Sequence, residues 1–211
     1  MPHVSLRQLT DVIAAGPALV SFLTDTVPAL ATRPEQAALI YAAKGRPPSK
    51  PLILMGASLA DLLPYVAGDE AERQAWQAVT RQHWPGQLTL VLPASERVPA
   101  ALNPAGTGTL GIRVPNHPVA LEVLTHTGPL ATTSANFSGQ PPITEMAEIA
   151  LAFPTALTLL EPAPGSEVAQ PASSGQPSTV AQWCPEGAGG DMPGSQPGSP
   201  WKILRQGAIR L

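Results

Sequence analysis

Three basic side chains stand close together where the apolar pattern of the chain is interrupted. Lys44, Arg46 and Lys50 fall within the segment IYAAKGRPPSKPL, residues 40–52. Arginine offers a planar fork of donors and lysine a mobile point charge, so this segment could clamp a triphosphate. The alternative is that the cations only complement the C-terminal end of a helix dipole. The segment has no Walker motif, so a nucleotide would be held without a P-loop.

Arg113 is a fourth basic residue that could act chemically. It lies inside the apolar run LGIRVP, residues 110–115. Burying an arginine in a strand is costly unless it is paired. The residue therefore either points to solvent from an exposed strand face or directs its charge at a substrate carboxylate or phosphate.

Polar groups also follow two apolar runs that resemble strands. Ser134 and Asn136 belong to LATTSANFSG, and Thr24, Asp25 and Thr26 belong to FLTDTVPAL. A serine hydroxyl and an asparagine amide can both donate to an anion, and open α/β sheets commonly bind ligands at strand ends. A plain loop and a helix N-cap are the alternatives. A nucleophilic serine is disfavoured, because the G-x-S-x-G elbow is missing and no histidine is nearby in sequence.

Size and composition limit the class of protein. The 211 residues are 44% hydrophobic and predict one domain, residues 1–211. The net charge of −3 argues against a broad nucleic-acid surface. No apolar run is long enough for a membrane span, and the start of the chain is typical of an amphipathic helix, not a signal peptide. The single Cys184 excludes an intrachain disulfide and favours the cytoplasm, and the four histidines lack metal-ligand spacing, so no protein-held metal is expected.

Predicted helices and strands alternate along the chain, which indicates an α/β or α+β fold with a mixed sheet. Capping boxes are expected at Ser5 to Gln8 and Thr32 to Glu35, and Thr144 is expected to cap the last helix. Residues 184–200, rich in Gly, Pro and Ser, are expected to form a flexible loop between two late strands. Further helices are predicted at 58–67, 69–82, 116–127 and 144–152, and strands at 18–23, 51–55, 88–92, 110–114, 130–133, 156–160, 178–183 and 201–205.

Seven short motifs occur in an order that resembles the YrdC-like family of threonylcarbamoyl-AMP synthases. The resemblance extends over about residues 5 to 209. Each motif is weak alone, but seven in this order are hard to obtain by chance. In chain order they are TDTV (24–27), KGRPPSKPL (44–52), WPGQLTLVL (84–92), GIRVPNHP (111–118), TSANFSG (133–139), PSTV (177–180) and ILRQG (203–207).

The resemblance implies a fold, an activity and a set of site residues. It implies a twisted mixed sheet flanked by helices around a central cavity. There L-threonine and bicarbonate give an N-carboxy intermediate that attacks the α-phosphorus of ATP, with Mg²⁺, to form threonylcarbamoyl-AMP and pyrophosphate. The family's K-x-R and S-x-N signature, which implies catalytic residues, falls on Lys44, Arg46, Ser134 and Asn136. The implied ATP contacts are Arg46, Lys50, Thr109, Ser134 and Arg205, and the implied threonine contacts are Thr26, Arg113, Thr132 and Ser178.

The same resemblance implies a place in tRNA modification. The product would pass to a tRNA threonylcarbamoyl-transfer machinery, and the protein is expected to be a cytoplasmic monomer with at most weak tRNA contact and no membrane contact. The first motif departs from the family pattern, since Pro28 stands in place of a tyrosine and Ala29 in place of a glycine. Two alternatives therefore stay open: a non-catalytic nucleotide-binding relative, and an RNA-binding module.

Overall fold

Ten strands and six α-helices alternate along the part of the chain that the computed structural model describes, residues 3–159, 173–185 and 199–211. The strands form one mixed sheet in the order β1-β8-β2-β3-β7-β4-β6-β5-β9-β10. The predicted α/β class with a mixed sheet is therefore confirmed. The strands are β1 (His3–Val4), β2 (Leu19–Phe22), β3 (Ala29–Thr32), β4 (Ile53–Met55), β5 (Leu88–Pro93), β6 (Thr109–Arg113), β7 (Leu130–Ser134), β8 (Ala156–Leu159), β9 (Thr179–Trp183) and β10 (Trp201–Arg205).

The α-helices cover both faces of this sheet. Two single turns of 3-10 helix, Pro34–Gln36 and Leu63–Tyr65, adjoin the second and third helices. The α-helices are α1 (Leu6–Ala15), α2 (Ala38–Lys44), α3 (Leu59–Leu62), α4 (Glu70–His83), α5 (Pro118–Thr127) and α6 (Met146–Ala152).

One face of the sheet carries the larger hydrophobic cluster. Along β6, Leu110 and Ile112 belong to it, and along β5 every second residue is a buried leucine. This alternation places one set of side chains on a single face. Helices α2, α4 and α6 contribute Ile40, Trp76 and Ile149 to the same cluster.

The opposite face is covered only in part. Helices α1 and α5 pack on it through Leu9 and Val123, against Val20 and Phe22 of β2. Over β4, β6, β5 and β9 this face instead presents a mixture of polar and aliphatic side chains, and Gly111 replaces a side chain altogether. The uncovered half of the sheet therefore leaves room for a cavity.

The structure tests the predicted helix starts one by one. The capping box of Ser5 and Gln8 is present. The box predicted at Thr32 is wrong, because Thr32 ends β3 and its hydroxyl donates to the Ala18 carbonyl at 2.7 Å. The prediction for Thr144 is also wrong, since α6 has Glu145 at its N-cap without a side-chain hydrogen bond.

Two strands were not predicted, and two expectations fall partly outside the described residues. Both β1 and β3 are short, and β3 directly follows Pro28, so neither has a recognisable alternating run. The predicted strand at 156–160 is present as β8, while residue 160 lies outside the described residues. Most of the expected loop at 184–200 lies outside them as well.

Candidate functional site

A cavity of about 380 Å³ lies on the uncovered half of the sheet. Its described wall holds three arginines, eight serine or threonine side chains and no acidic side chain. Such a wall is suited to an anionic ligand. The arginines are Arg46, Arg113 and Arg205, and the hydroxyl residues are Thr26, Thr89, Thr107, Thr109, Thr132, Thr133, Ser134 and Ser178.

Strand alternation explains how these side chains reach one surface. On β6, Thr109, Gly111 and Arg113 face the cavity, while the leucine and isoleucine between them face the core. A side chain at Gly111 would place its Cβ 2.8 Å from Cγ2 of Ile53 on the neighbouring strand. The glycine therefore keeps the cavity floor open at its centre.

Arg113 is buried and paired. Its Nη2 donates to Oδ1 of Asp25 at 2.6 Å, with side-chain exposures of 3% and 7%. Its Nη1 donates to the Thr26 hydroxyl at 2.8 Å and its Nε to the Gly86 carbonyl at 3.0 Å. A guanidinium has five N–H donors, so two remain for a ligand. Burial lowers the pKa of Arg113, and the Asp25 charge opposes that shift.

The loop that carries Asp25 and Thr26 is held by its backbone carbonyls. The backbone carbonyl oxygen of Asp25 accepts hydrogen bonds from the N–H of Ser174 at 3.1 Å and from Nε2 of Gln87 at 2.9 Å. The Thr26 carbonyl accepts from the Gly175 N–H at 2.9 Å and from the Ser173 hydroxyl. These hydrogen bonds connect three segments next to Arg113: the TDTV motif, the WPGQLTLVL motif and the residues before the PSTV motif.

Lys44 and Asn136 shape the turn that ends β7. The Lys44 ammonium donates to the Ser134 carbonyl and to Oδ1 of Asn136, the latter at 3.2 Å. Oδ1 of Asn136 also accepts from the Ser134 hydroxyl at 2.6 Å. Both N–H donors of the Asn136 amide bond to backbone carbonyls, those of Phe137 and Gln140. Both amide donors therefore serve the turn, and donation from this amide to an anion stays a prediction.

Burial changes the protonation of Lys44. Loss of solvation, together with the nearby Arg46 charge, lowers the pKa of Lys44 to about 7. A neutral amine still has two N–H donors, enough for both acceptors. The turn can therefore keep its hydrogen bonds on either side of neutral pH.

Arg46 faces the cavity from the loop after α2. Its Nε donates to the Lys50 carbonyl at 2.8 Å and its Nη2 to the Pro51 carbonyl at 3.0 Å. Gly45, in the left-handed region at φ 58°, ends the helix and lets the chain turn into this loop. The Lys50 side chain is exposed and is not part of the described cavity wall.

The opposite side of the cavity is built around Ser178. Its hydroxyl lies 2.9 Å from the Thr89 hydroxyl and accepts from Nη2 of Arg205 at 3.2 Å, while Nε of Arg205 donates to the Ser178 carbonyl at 3.0 Å. The Thr179 hydroxyl accepts from the backbone N–H of Gly207 at 3.0 Å. This contact fastens the ILRQG motif to the PSTV motif.

Most of the residues predicted for the site meet at this cavity. Lys44, Asn136 and Lys50 are absent from its described wall; the first two lie behind it. Sequence reasoning did not select Thr89, Thr107 or Gln182 as site residues, although Thr89 shows a recognisable signal, a polar residue inside the apolar run LTLVL. The eight predicted residues in the wall are Thr26, Arg46, Thr109, Arg113, Thr132, Ser134, Ser178 and Arg205.

Comparison with known proteins gives the family. Residues 12–188 match the model of the Sua5/YciO/YrdC family, which carries the description telomere recombination. That range is well over half of the chain. The chain therefore belongs to this family.

Three relatives show how far the similarity extends. The threonylcarbamoyl-AMP synthase of Halorhodospira halophila is 38% identical over 68% of this chain and 75% of its own length. That of Bacillus subtilis is 39% identical over 63% of this chain but only 38% of its own. The crystal structure of Pyrococcus abyssi Sua5 complexed with L-threonine matches with a TM-score of 0.70 and 31% identity, over 84% of this chain and half of that one.

The described residues lack two further features. No helix there is both long enough and apolar enough to cross a bilayer. No group of three or more His, Cys, Asp or Glu side chains in the same residues is arranged to hold a metal ion.

Proposed function

We propose that this protein makes threonylcarbamoyl-AMP and pyrophosphate from L-threonine, bicarbonate and ATP, the first step of the threonylcarbamoyladenosine modification of tRNA. The observation that carries the proposal is the cavity wall, with three arginines, eight hydroxyl side chains and no described acidic residue. All the expected ligands are anionic or carry a carboxylate or phosphate. The relatives named as threonylcarbamoyl-AMP synthases support the same conclusion.

The chemistry needs positioning and charge more than a protein nucleophile. Threonine and bicarbonate condense to N-carboxythreonine with loss of water. A carbamate oxygen then attacks the α-phosphorus of ATP, and the bond from that phosphorus to the β-phosphate bridge breaks. Nucleotidyl transfer of this kind is accelerated mainly by alignment and by neutralisation of phosphate charge.

We assign the ATP phosphates to the part of the cavity next to the Ser134 turn. Arg46, Ser134 and Thr109 hold the phosphates, and Lys44 and Asn136 act as positioning residues that fix the Ser134 turn. To donate to a phosphate, the Ser134 hydroxyl would redirect the proton it now gives to Asn136.

The amino acid is assigned to the side of the cavity next to Asp25. Arg113 offers its two remaining donors to the threonine carboxylate, and Thr26, Thr132 and Ser178 complete that subsite. Arg205, fixed on Ser178, adds positive charge for the nucleotide. Mg²⁺ is assigned to the ATP phosphates as part of the substrate, because the described wall has no carboxylate to bind it.

We assign the protein to the cytoplasm, as a monomer that passes its product to a tRNA threonylcarbamoyl-transfer machinery. We also propose that residues 1–211 act as one domain.

The decisive experiment measures the product directly. Purified protein is incubated with Mg²⁺, ATP, bicarbonate and L-threonine, and threonylcarbamoyl-AMP and pyrophosphate are followed together. Formation of both, lost when threonine or bicarbonate is omitted, is the expected result. ATP binding without either product in well-folded protein would overturn the proposal and favour a non-catalytic nucleotide-binding relative.

A further inference from the structure

One side of the cavity wall has no part in the proposed reaction. It consists of Val91, Val180, Gln182 and Leu204, on β5, β9 and β10, and is called the β9 side here. Val91 and Gln182 are direct partners across the parallel β5–β9 pair. The β9 side is therefore one continuous surface of aliphatic groups with a single amide.

The aliphatic groups of the β9 side are accessible to a ligand. Leu204 is 49% exposed, whereas Ala29 and Met55, which also line the cavity, are 2% and 4% exposed. Val91 and Val180 are half-buried. When a ligand covers exposed apolar surface, that surface is removed from water, which contributes favourably to the free energy of binding. The described wall has no aromatic residue, so the contact it offers to a flat ligand is aliphatic.

The position of the β9 side fits the base of a nucleotide, and this step rests on the proposed function. Arg46 reaches the cavity from the loop before β4, and Ser134 ends the adjacent strand β7. From β4 the sheet continues through β6 and β5 to β9, which is three strand spacings or about 14 Å. A nucleoside triphosphate with its phosphates on Arg46 and Ser134 would place its base on the β9 side if it lay across these strands.

Gln182 presents the group that can recognise such a base. Its side chain is half-buried, lines the cavity, and has no hydrogen bond to another residue in the described ranges. A primary amide offers one acceptor and two donors in one plane. An amide of this type pairs in bidentate fashion with the amino group and a ring nitrogen of adenine.

We propose that Gln182 reads the base of the nucleotide and that Val91, Val180 and Leu204 hold its flat faces. Gln182 is thus a specificity-determining residue. A glutamate in its place can only accept hydrogen bonds. It would repel the ring nitrogen of adenine and would suit guanine, whose edge presents two N–H donors.

The test compares Gln182→Glu with Gln82→Glu by calorimetric titration with MgATP and MgGTP. Gln82 is exposed on α4 and outside the described wall, so the control makes the same charge change elsewhere. A new carboxylate repels both triphosphates equally, so the ratio of Kd(GTP) to Kd(ATP) isolates base recognition. We expect this ratio to fall about tenfold or more for Gln182→Glu, the discrimination of one bidentate contact, and to stay unchanged for the control.

An unchanged ratio in a folded Gln182→Glu protein would overturn the inference. If that variant does not fold, Gln182→Leu replaces it, and wild-type affinity for ATP in this variant would be equally decisive against Gln182. The two proposals fail separately. A wild-type protein that makes threonylcarbamoyl-AMP while Gln182→Glu keeps the ratio refutes only base reading, whereas a shifted ratio without any product refutes only the reaction.

Discussion

Asp25 and Arg113 form a buried ion pair, 2.6 Å between Oδ1 and Nη2, in which the carboxylate belongs to the first motif and the guanidinium to the fourth. The pair accounts for an arginine inside an apolar strand, because the carboxylate compensates its charge. It also leaves two guanidinium donors without a hydrogen bond to another described residue. Asp25 is therefore a positioning residue for the proposed threonine contact.

The pair predicts strong coupling in a double-mutant cycle. Asp25→Asn leaves a buried charge without its partner and should lower the free energy of unfolding by about 3–5 kcal/mol, as should Arg113→Met. The double variant should lose clearly less than the sum of the two, since it removes both charges. Urea unfolding of the four proteins at pH 7 provides the measurement. Additive losses would show that the two charges do not depend on each other.

A second prediction concerns the pH dependence of stability through Lys44, whose pKa is about 7 in the folded protein against a usual value of 10.5. Below pH 7 the residue is charged in both states, and the cost of burying that charge is present in full. Between pH 7 and 10.5 the unfolded state holds the additional proton, so the free energy of unfolding rises with pH.

Lys44→Met removes this titration. The stability of the wild type relative to Lys44→Met should therefore increase from pH 7 to pH 9, as measured by urea unfolding at unit steps of pH. Lys50→Met changes an exposed lysine of the same segment and is the matched control. Its free energy of unfolding should change with pH in parallel with that of the wild type. A constant difference between wild type and Lys44→Met would contradict the lowered pKa.

The sequence predicts the helices and the longer strands well because their patterns are local. The capping box at Ser5 and the alternation around Arg113 both appear in a few consecutive residues. Strand β3 was not predicted, since four small or apolar residues after Pro28 carry no clear period. The same strand explains the error at Thr32, whose hydroxyl bonds across the sheet to Ala18 in place of capping a helix.

The residues of the site, like the elements of the fold, can be predicted only in part from the sequence. Side-chain types and strand-end positions select residues such as Arg46, Ser134 and Arg205, which the fold then brings to one cavity. Sequence patterns cannot show which group faces the ligand and which supports another group. Lys44 and Asn136 are separated by 92 residues, and only the structure shows their hydrogen bond behind the Ser134 turn. Thr89 has a local signal as a polar residue in an apolar run, but only the structure shows that its hydroxyl lies 2.9 Å from that of Ser178.

A third prediction follows from the close approach of Gly207 to the backbone of the PSTV motif. A Cβ at this position would lie 2.5 Å from the Thr179 nitrogen and 2.6 Å from the Pro177 carbonyl oxygen. Backbone atoms cannot move aside as a flexible side chain can. Gly207→Ala should therefore displace the end of β10, including Arg205, and weaken ATP binding about tenfold.

Gly16→Ala is the matched control for that change, since a Cβ there meets no atom within 4 Å. Calorimetric titration with MgATP on both variants, with a thermal unfolding scan of each, separates a local displacement from global unfolding. Equal ATP affinity for the two variants would show that the contact with Thr179 does not position Arg205.

The last prediction tests the role of Arg46 in the reaction. The residue lies in a loop and contributes only two hydrogen bonds to nearby carbonyls, so Arg46→Ala should unfold close to the wild-type midpoint. If it neutralises charge that develops on the phosphates, its loss should lower kcat for threonylcarbamoyl-AMP formation by about 100-fold or more. Arg33→Ala removes an exposed arginine whose only ion pair in the described ranges is a 3.9 Å contact with Glu35, and it should leave kcat unchanged. Comparable turnover in the two variants would remove Arg46 from the catalytic assignment, and a rise in KM without a fall in kcat would restrict it to binding.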